Sequence, residues 1–351
     1  MEYGEKVKKL EESLKDKKVA LCFSGGSDSS LLAYVGANLC KEIILFTFDN
    51  GLFPKDFIRK SKEQADKFNL KQIIVKDKFI KDEEFCKNNE KRCLICRNKI
   101  YSSIKKLAEE NNLDYVIDGN NISDFLEDRP GIIAKYEYNI ESPLIDAGFE
   151  TRDVHRFLKE HNIKYNKSTT CLATRIETNK PITRNLINRI NTAEKIVENI
   201  TKNDIVKVRK LNSYAIIIET DNIEPLLNVE TLQLIEDEFK AIGFKKIGIN
   251  ITEIKDNDEK LYTYRGCQAK NNKVMFTKNL PYEIDIEETI NHLSKEFSDV
   301  EYFNDRGLIL FRNEDVDISI SKNGKIIIDN VDIDKGEDFA IKILKLIRRT
   351  V

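Results

Sequence analysis

The sequence of 351 residues has no tryptophan, three histidines and no long apolar run. A helix that spans a membrane needs a stretch of about 18 or more apolar residues, so none is predicted. Residues 1–18 form a charged amphipathic pattern without the apolar segment of a signal peptide. We therefore expect a cytoplasmic protein with no membrane partner.

An excess of basic residues is also absent. Lysine and arginine number 58 and acidic residues 60, so the formal net charge is −2 at pH 7. A protein whose main substrate is a large nucleic acid usually carries a basic patch or stripe. The charge balance disfavours tRNA as the main substrate, although a local patch could still form on folding. The 40% hydrophobic and 34% charged content predicts a globular chain with room for two or three domains.

Apolar runs alternate with helical patterns in the first half of the chain. Strands are predicted at residues 18–23, 42–48, 72–75 and 114–118. Helices are predicted at residues 30–39, 56–68 and 97–111. Continuous apolar strands that alternate with helices indicate a parallel sheet covered on both faces. The fold class is therefore α/β, and the first domain is expected at residues 1–165.

The remainder of the chain predicts two α+β units. The second unit, at residues 166–256, has a helix, two strands, a helix and a strand. Its predicted elements lie at residues 185–200, 204–211, 213–219, 229–242 and 245–252. A polar linker at residues 255–260 leads to an accessory α+β domain at residues 260–351, in which a strand and a helix precede four strands and a last helix. The sequence assigns no role to that domain or to its Cys267.

A glycine-rich turn joins the first predicted strand to the first helix. It reads Ser24-Gly25-Gly26-Ser27-Asp28-Ser29. Glycines permit a tight turn, and its N–H groups together with the helix N-terminus form a cradle for anions. Asp28 is placed to hold Mg²⁺ between phosphates, and the serine hydroxyls can donate to phosphate oxygens. An ordinary capped turn is the alternative, but the complete hexapeptide predicts nucleotide binding of neither the Walker A nor the dinucleotide type.

This hexapeptide resembles the PP-loop of ATP pyrophosphatases. The resemblance implies an adenine nucleotide alpha hydrolase-like fold. It also implies a loop that binds the phosphates released as pyrophosphate, while AMP passes to the substrate. Further contacts with ATP are expected where later strands end, at Asp49, Gly119 and Asn120.

Several short motifs then follow in order and narrow the resemblance. They lie at residues 128–131 (DRPG), 142–144 (SPL), 170–176 (TCLATRI), 181–183 (PIT) and 189–194 (RINTAE). This succession is similar to the LarE-type sulfur transferases, which make the thiocarboxylate groups of a nickel-pincer cofactor. The likeness covers about residues 1–250. It implies adenylation of a carboxylate on a pyridinium dicarboxylate mononucleotide, followed by replacement of oxygen by sulfur.

Three cysteines are candidates for the sulfur chemistry: Cys93, Cys96 and Cys171. The Cys-x-x-Cys pair precedes a predicted helix and could clasp a metal centre or form a redox pair. Zinc would require a fourth ligand, and the sequence offers no second Cys-x-x-Cys or histidine pair. Three cysteines suit a [4Fe-4S] cluster with one open iron, as the resemblance implies for one branch of the family. A sacrificial Cys171, or a zinc ion or disulfide, are the alternatives.

Positive residues near Cys171 are candidates for binding the substrate. Arg175, Lys207 and Arg209 are expected beside a phosphate or carboxylate, because arginine binds such groups through its planar fork. Lys207 and Arg209 alternate along one predicted strand and share a face, which could instead be a solvated surface. Glu194 is expected to hold a metal or to orient an arginine.

The predicted enzyme is an adenylating ATP pyrophosphatase with Asp28, Cys171 and Arg175 as its catalytic residues. Its expected cofactors are ATP, Mg²⁺ and a [4Fe-4S] cluster. Its expected partners are a small nucleotide-like substrate and a sulfide donor, and a homo-oligomer stays open. A tRNA-thiolating enzyme with the same centre, and a non-catalytic protein that binds nucleotide and zinc, are the rival hypotheses.

Overall fold

The computed structural model describes residues 2–167, 170–212, 215–254, 263–264 and 273–351. Cys267 and the predicted linker at residues 255–260 lie outside the described residues. The helices are α1 Tyr3–Leu14, α2 Ser27–Leu39, α3 Phe57–Lys67, α4 Glu83–Cys86, α5 Arg92–Glu110, α6 Ile122–Phe125, α7 Ala134–Glu137, α8 Pro143–Asp146, α9 Thr151–Glu160, α10 Arg184–Thr201, α11 Val229–Ala241, α12 Ile286–Glu296 and α13 Ile333–Leu346. The strands are β1 Lys18–Cys22, β2 Glu42–Asp49, β3 Gln72–Lys76, β4 Tyr115–Ile117, β5 Val206–Lys210, β6 Ala215–Thr220, β7 Lys246–Ile249, β8 Thr263–Tyr264, β9 Lys273–Asn279, β10 Glu301–Phe303, β11 Leu308–Asn313, β12 Val316–Ser321 and β13 Lys325–Asp332.

The first unit is built on a parallel four-stranded sheet in the order β3-β2-β1-β4. The inner strand β1 is apolar throughout its centre because both of its faces are covered. Val19 and Leu21 pack in a buried cluster with residues of α1, α2 and α9, whereas Ala20 packs in a second cluster with residues of α5. The expected α/β class with a parallel sheet is confirmed. All four strands end at the same edge, which brings the loops that follow them together.

The second unit is the three-stranded sheet β5-β6-β7, covered by α10 and α11. β5 runs antiparallel to β6, and β7 runs parallel to β6. Its strands alternate buried and half-buried residues, as expected of a sheet with one covered face. Ile176 forms a parallel bridge with Lys210 at the end of β5, so the segment after Cys171 lies beside this sheet.

The third unit is the sheet β10-β11-β12-β13-β9-β8 with α12 and α13. Its strands pair antiparallel throughout the described residues. It shares one buried apolar cluster with the first unit, which contributes Ile122, Phe125, Leu126, Ile132 and Ile145. The division into domains at residues 1–165, 166–256 and 260–351 stays a prediction. In the part of the chain described, each helix is too short or too polar to cross a membrane.

Candidate functional site

The predicted phosphate loop, residues 24–29, follows β1 and requires a glycine at position 25. Gly25 has a φ of +78°, in the left-handed region that side chains disfavour. A Cβ at this position would lie 2.8 Å from Asn166 Nδ2 and 3.3 Å from Ser61 Cα. The Gly25 carbonyl also accepts the N–H of Asn166 at 2.9 Å. The loop therefore contacts Asn166, which precedes Cys171 by five residues in the chain.

The loop ends in backbone donors that have no acceptor among the described residues. Ser29 Oγ accepts the N–H of Ser24 at 3.3 Å and lies 3.1 Å from Ser24 Oγ, which closes the loop on itself. The N–H groups of Ser27, Asp28 and Ser29 have no hydrogen-bond partner among the described residues. They open the 13-residue helix α2, whose N-terminus is positively polarised. Unpaired N–H groups at a helix N-terminus are suited to binding a phosphate group.

Asp28 lies half-buried in the first turn of α2 and is held from two sides. Its Oδ2 accepts the Ser27 hydroxyl at 3.0 Å, and its Oδ1 accepts Asn121 Nδ2 at 2.6 Å. Gly119 packs against the same turn, since a Cβ there would lie 3.1 Å from Asp28 Cβ and 3.2 Å from Ser29 N. The predicted residue Gly119 is thus adjacent to the loop. The sequence reasoning missed Asn121, although the polar run after β4 is a recognisable signal.

Asp118 organises the end of β4 and is 1% exposed. It accepts the hydroxyls of Tyr101 at 2.5 Å and Ser142 at 2.6 Å. It also accepts the N–H of Asn120 at 3.1 Å and Asn120 Nδ2 at 2.5 Å. The Asn120 side chain therefore orders this loop from within. Direct contact between Asn120 and ATP stays a prediction.

The turn after β2 connects Asp49, an expected contact of ATP, to the segment that contains Cys171. Asp49 is half-buried and its Oδ1 accepts the N–H of Gly51 at 3.2 Å. Asn50 is buried, with its Oδ1 accepting the N–H of Leu52 at 3.0 Å. The carbonyl of Leu52 accepts the N–H of Leu172 at 2.8 Å. Residue 171 is consequently held next to the turn that carries Asp49.

The Cys-x-x-Cys pair lies inside helix α5, whereas the sequence analysis placed it before the helix. α5 begins at Arg92, and the N–H of Ile95 donates to the carbonyl of Lys91 at 2.9 Å. The preceding turn is closed by Asn89, whose Oδ1 accepts the N–H of Lys91 at 3.1 Å. This turn allows the helix to start five residues earlier than expected. Since Cys93 and Cys96 are three residues apart, they share one face of the helix.

The three candidate thiols lie in one electrostatic neighbourhood. Burial, together with the nearby Cys171 and Cys93, raises the pKa of Cys96 to about 12. Burial likewise raises the pKa of Cys171 to about 11, with Cys93 contributing. The six described cysteines are free thiols, so Cys93 and Cys96 do not form a disulfide in this structure. Among the described residues, no group of three or more His, Cys, Asp or Glu side chains is arranged to hold a metal ion.

Two arginines that the sequence reasoning missed flank the Cys-x-x-Cys pair. Arg92 Nη1 donates to the carbonyl of Ala173 at 3.3 Å, and its Nη2 lies 3.4 Å from Cys93 Sγ. Arg97 Nη1 donates to the Tyr101 hydroxyl at 3.0 Å, and its charge opposes the rise in the pKa of Cys96. Arg92 therefore ties α5 to the segment after Cys171. The signal for both is a basic residue on each side of the motif.

Arg175 forms a buried ion pair with Glu194. The two residues are 2% and 4% exposed, and Arg175 Nε donates to Glu194 Oε1 at 2.6 Å. Arg175 Nη1 also donates to the hydroxyls of Thr170 at 2.5 Å and Thr174 at 2.9 Å. Glu194 further accepts the N–H of Val208 at 3.0 Å. Of the two roles expected for Glu194, the structure shows it orienting an arginine.

Lys207 is the least compensated cation beside this pair. Arg209 Nε donates to Glu219 Oε2 at 2.7 Å, and its Nη1 donates to the carbonyl of Thr174 at 2.8 Å. Lys207 is half-buried and forms no ion pair with any described residue. Burial lowers the pKa of Lys207, and the charges of Arg175 and Arg209 lower it further. These three cations, Arg175, Lys207 and Arg209, form a cation cluster whose positive charge is incompletely neutralised.

The predicted site residues assemble into two groups. The nucleotide group contains the loop at residues 24–29 with Asp49, Gly119 and Asn120. The sulfur and cation group contains Cys93, Cys96, Cys171, Arg175, Glu194, Lys207 and Arg209. Described residues of the intervening chain contact both groups, because Asn166 donates to the Gly25 carbonyl and Ile176 forms a bridge with Lys210.

Comparisons with known proteins find relatives but no matching family model. The chain is 34% identical over 242 residues to "Uncharacterized protein MJ0830" of Methanocaldococcus jannaschii, which covers 69% of this chain and 92% of that protein. It is 24% identical over 196 residues to the pyridinium-3,5-bisthiocarboxylic acid mononucleotide synthase of Lactiplantibacillus plantarum, covering 54% and 71%. It is 26% identical over 155 residues to one of the subunits of the glutamine-hydrolyzing GMP synthase of Archaeoglobus fulgidus, covering 44% and 50%.

Proposed function

The chain belongs to the same family as MJ0830, within the PP-loop superfamily, and on that premise we propose that it is an adenylating ATP pyrophosphatase that transfers sulfur. One observation carries the proposal. The phosphate loop has open N–H donors and its Gly25 carbonyl accepts the N–H of Asn166, while Cys171, five residues further along the chain, interacts electrostatically with the free thiols of Cys93 and Cys96. The similarity to the mononucleotide synthase and to GMP synthase supports a nucleotide-dependent enzyme.

ATP is proposed to bind with its phosphates on the loop at residues 24–29. The N–H groups of Ser27, Asp28 and Ser29 would donate to phosphate oxygens, and the helix N-terminus would favour their negative charge. The Asp28 carboxylate fits Mg²⁺, because oxygen is the ligand that this ion prefers. Held there, Mg²⁺ would offset the negative charge that develops on the phosphates.

The substrate is proposed to be a pyridinium dicarboxylate mononucleotide or a related anionic acid. Lys207 is its principal contact, because it has a free positive charge, while Arg209 supplies a second cation. Arg175 is held beside these two cations by its ion pair with Glu194. A substrate carboxylate oxygen would form a bond to the α-phosphate as the bond to pyrophosphate breaks. The resulting acyl adenylate has AMP as its leaving group, which is far better than oxide.

Sulfur transfer then requires a sulfur nucleophile at the acyl carbon. Hydrosulfide would form the carbon–sulfur bond, AMP would leave, and the proton would pass to solvent. Cys93, Cys96 and Cys171 are the residues that would hold a [4Fe-4S] cluster, because three thiolates are one ligand short of the four that a structural zinc ion takes. Their thiols are not already arranged as a metal site among the described residues, and a cluster held there would supply the sulfide. Arg92 and Arg97 would compensate the charge of the thiolates.

Anaerobic purification followed by two assays tests this proposal. We expect about four irons per chain, with sulfide, and their loss in Cys93→Ala. Cys40→Ala is the matched control, because Cys40 donates to the carbonyl of Leu14 in a different apolar core, away from the three candidate thiols. Pyrophosphate release should depend on an added acid acceptor. Stoichiometric zinc without iron would contradict the proposed cluster. Conversion of Cys171 to dehydroalanine would identify this cysteine as the sulfur source. Failure of every acid acceptor tested to stimulate pyrophosphate release would contradict sulfur transfer.

A further inference from the structure

Asn121 is buried beside the phosphate loop with both ends of its amide engaged. It is 3% exposed. Its Nδ2 donates to Asp28 Oδ1 at 2.6 Å, and its Oδ1 accepts the N–H of Ser123 at 2.8 Å. A flipped amide would present an acceptor to a carboxylate that also only accepts. These bonds therefore fix the orientation of Asn121, and Asn121 in turn fixes one oxygen of Asp28.

A buried carboxylate holds Asn121 from its backbone side. The N–H of Asn121 donates to Asp124 Oδ2 at 2.7 Å, which completes a capping box at the start of α6. Arg129 pairs with Asp124, and its Nε also donates to Glu127 Oε2 at 2.8 Å. Asp124 is 5% exposed, and a buried carboxylate requires such compensation. The segment at residues 121–131 is therefore cross-linked within itself.

The third unit packs directly on this segment. The Tyr282 hydroxyl donates to the carbonyl of Phe125 at 2.8 Å, and Arg349 Nη2 lies 2.6 Å from Asp128 Oδ1. The segment also contributes three side chains to the apolar cluster of that unit: Ile122, Phe125 and Leu126. The polar and apolar contacts of the unit thus meet the residues next to Asn121.

The same segment reaches the cysteine helix at its other end. A Cβ at Gly131 would lie 3.0 Å from the carbonyl oxygen of Cys93 and 2.8 Å from Arg97 Cγ. Residues 121–131 therefore contact Asp28 at one end and α5 at the other. A unit that holds this segment holds both parts of the site.

We propose that Asn121 is a positioning residue for the Asp28 carboxylate, and that the third unit is the scaffold that keeps Asn121 in place. A carboxylate that meets Mg²⁺ must be held within a fraction of an ångström, and second contacts supply that precision. The proposal rests on the proposed function only in that Asp28 meets the metal of MgATP.

Calorimetric titration of MgATP at several Mg²⁺ concentrations tests the role of Asn121. Asn121→Ala should weaken binding about tenfold at limiting Mg²⁺, as for one lost bond to a charged group, and high Mg²⁺ should recover part of the loss. The matched control is Asn38→Ala at the other end of α2, where Nδ2 donates to the carbonyl of Tyr34 at 2.7 Å. A folded Asn121→Ala protein with the parent's affinity at every Mg²⁺ concentration would overturn the proposal.

A second pair of variants tests the scaffold. Arg349→Gln removes the contact with Asp128 and should weaken MgATP binding several-fold with the same Mg²⁺ dependence. Arg312→Gln breaks an exposed ion pair with Asp317 in the same unit and should leave binding unchanged. A lower melting temperature for Arg349→Gln with unchanged affinity would reduce the unit to a stabilising role. A parent that binds MgATP but releases no pyrophosphate contradicts the proposed function alone, and one that binds no MgATP contradicts both.

Discussion

The phosphate loop and the cation cluster beside Cys171 are constructed in opposite ways. The loop is one run of residues, 24–29, whose open donors are backbone N–H groups. The cation cluster takes Arg175 from the segment after Cys171 and both Lys207 and Arg209 from β5, and carboxylates hold two of the three. A site made of backbone depends on conformation, so glycine is its critical residue type. A site made of side chains depends on each ion pair, so removing one partner exposes the charge of the other.

The largest expected effect tests the side-chain site. Arg175→Met leaves Glu194 buried without its partner, which should lower the free energy of unfolding by about 3–5 kcal/mol. Urea unfolding measures this change. The double variant Arg175→Met with Glu194→Leu removes both charges and should recover most of the loss. Equal stability of Arg175→Met and the parent would show that another cation neutralises Glu194.

A smaller effect is expected from the backbone site. Gly25→Ala places a side chain at a φ of +78° and 2.8 Å from Asn166 Nδ2, so the loop must shift. The left-handed conformation alone costs about 1–2 kcal/mol, and MgATP affinity should fall about tenfold. Gly4→Ala on α1 is the control, because nothing lies within 4 Å of its added Cβ. Unchanged affinity and stability for Gly25→Ala would contradict a conformation-dependent loop.

The smallest expected effect sharpens the comparison at Lys207. Lys207→Met should weaken binding of the acid substrate about tenfold, as for the loss of one charge-assisted contact, and leave MgATP binding unchanged. Lys246→Met, on an exposed position of β7, is the matched control. Weaker MgATP binding with unchanged substrate affinity would place Lys207 in the nucleotide site instead.

The lowered pKa of Lys207 gives this variant a pH signature. The folded protein releases the Lys207 proton at lower pH than the unfolded chain, so stability rises with pH between the lowered pKa and about 10.4. Lys207→Met should flatten that rise. Substrate affinity of the parent should fall as pH passes upward through the lowered pKa, because the cation is lost. A parent and a variant with parallel stability profiles would contradict this assignment.

Much of the first unit could be predicted because its signals are local. The apolar runs at residues 18–23 and 42–48 correspond to strands of the observed parallel sheet. The predicted start of α5 was wrong by five residues, because the turn closed by Asn89 is not an obvious helix start. Asn121 was missed as a site residue because its partner, Asp28, lies 93 positions away. The polar run after β4 marks Asn121 as a candidate, but a single sequence does not show which distant residue it contacts.

The order of the four parallel strands and the glycine-rich turn after the first of them were determined by the sequence itself. Both depend on neighbours along the chain, where residue type and spacing restrict the backbone directly. Only the tertiary structure decided that Arg175 pairs with Glu194, that Arg92 joins two cysteine segments, and that the third unit packs on residues 121–131. These contacts depend on which distant segments become adjacent when the apolar faces of the units are buried together. Local preferences do not specify that packing.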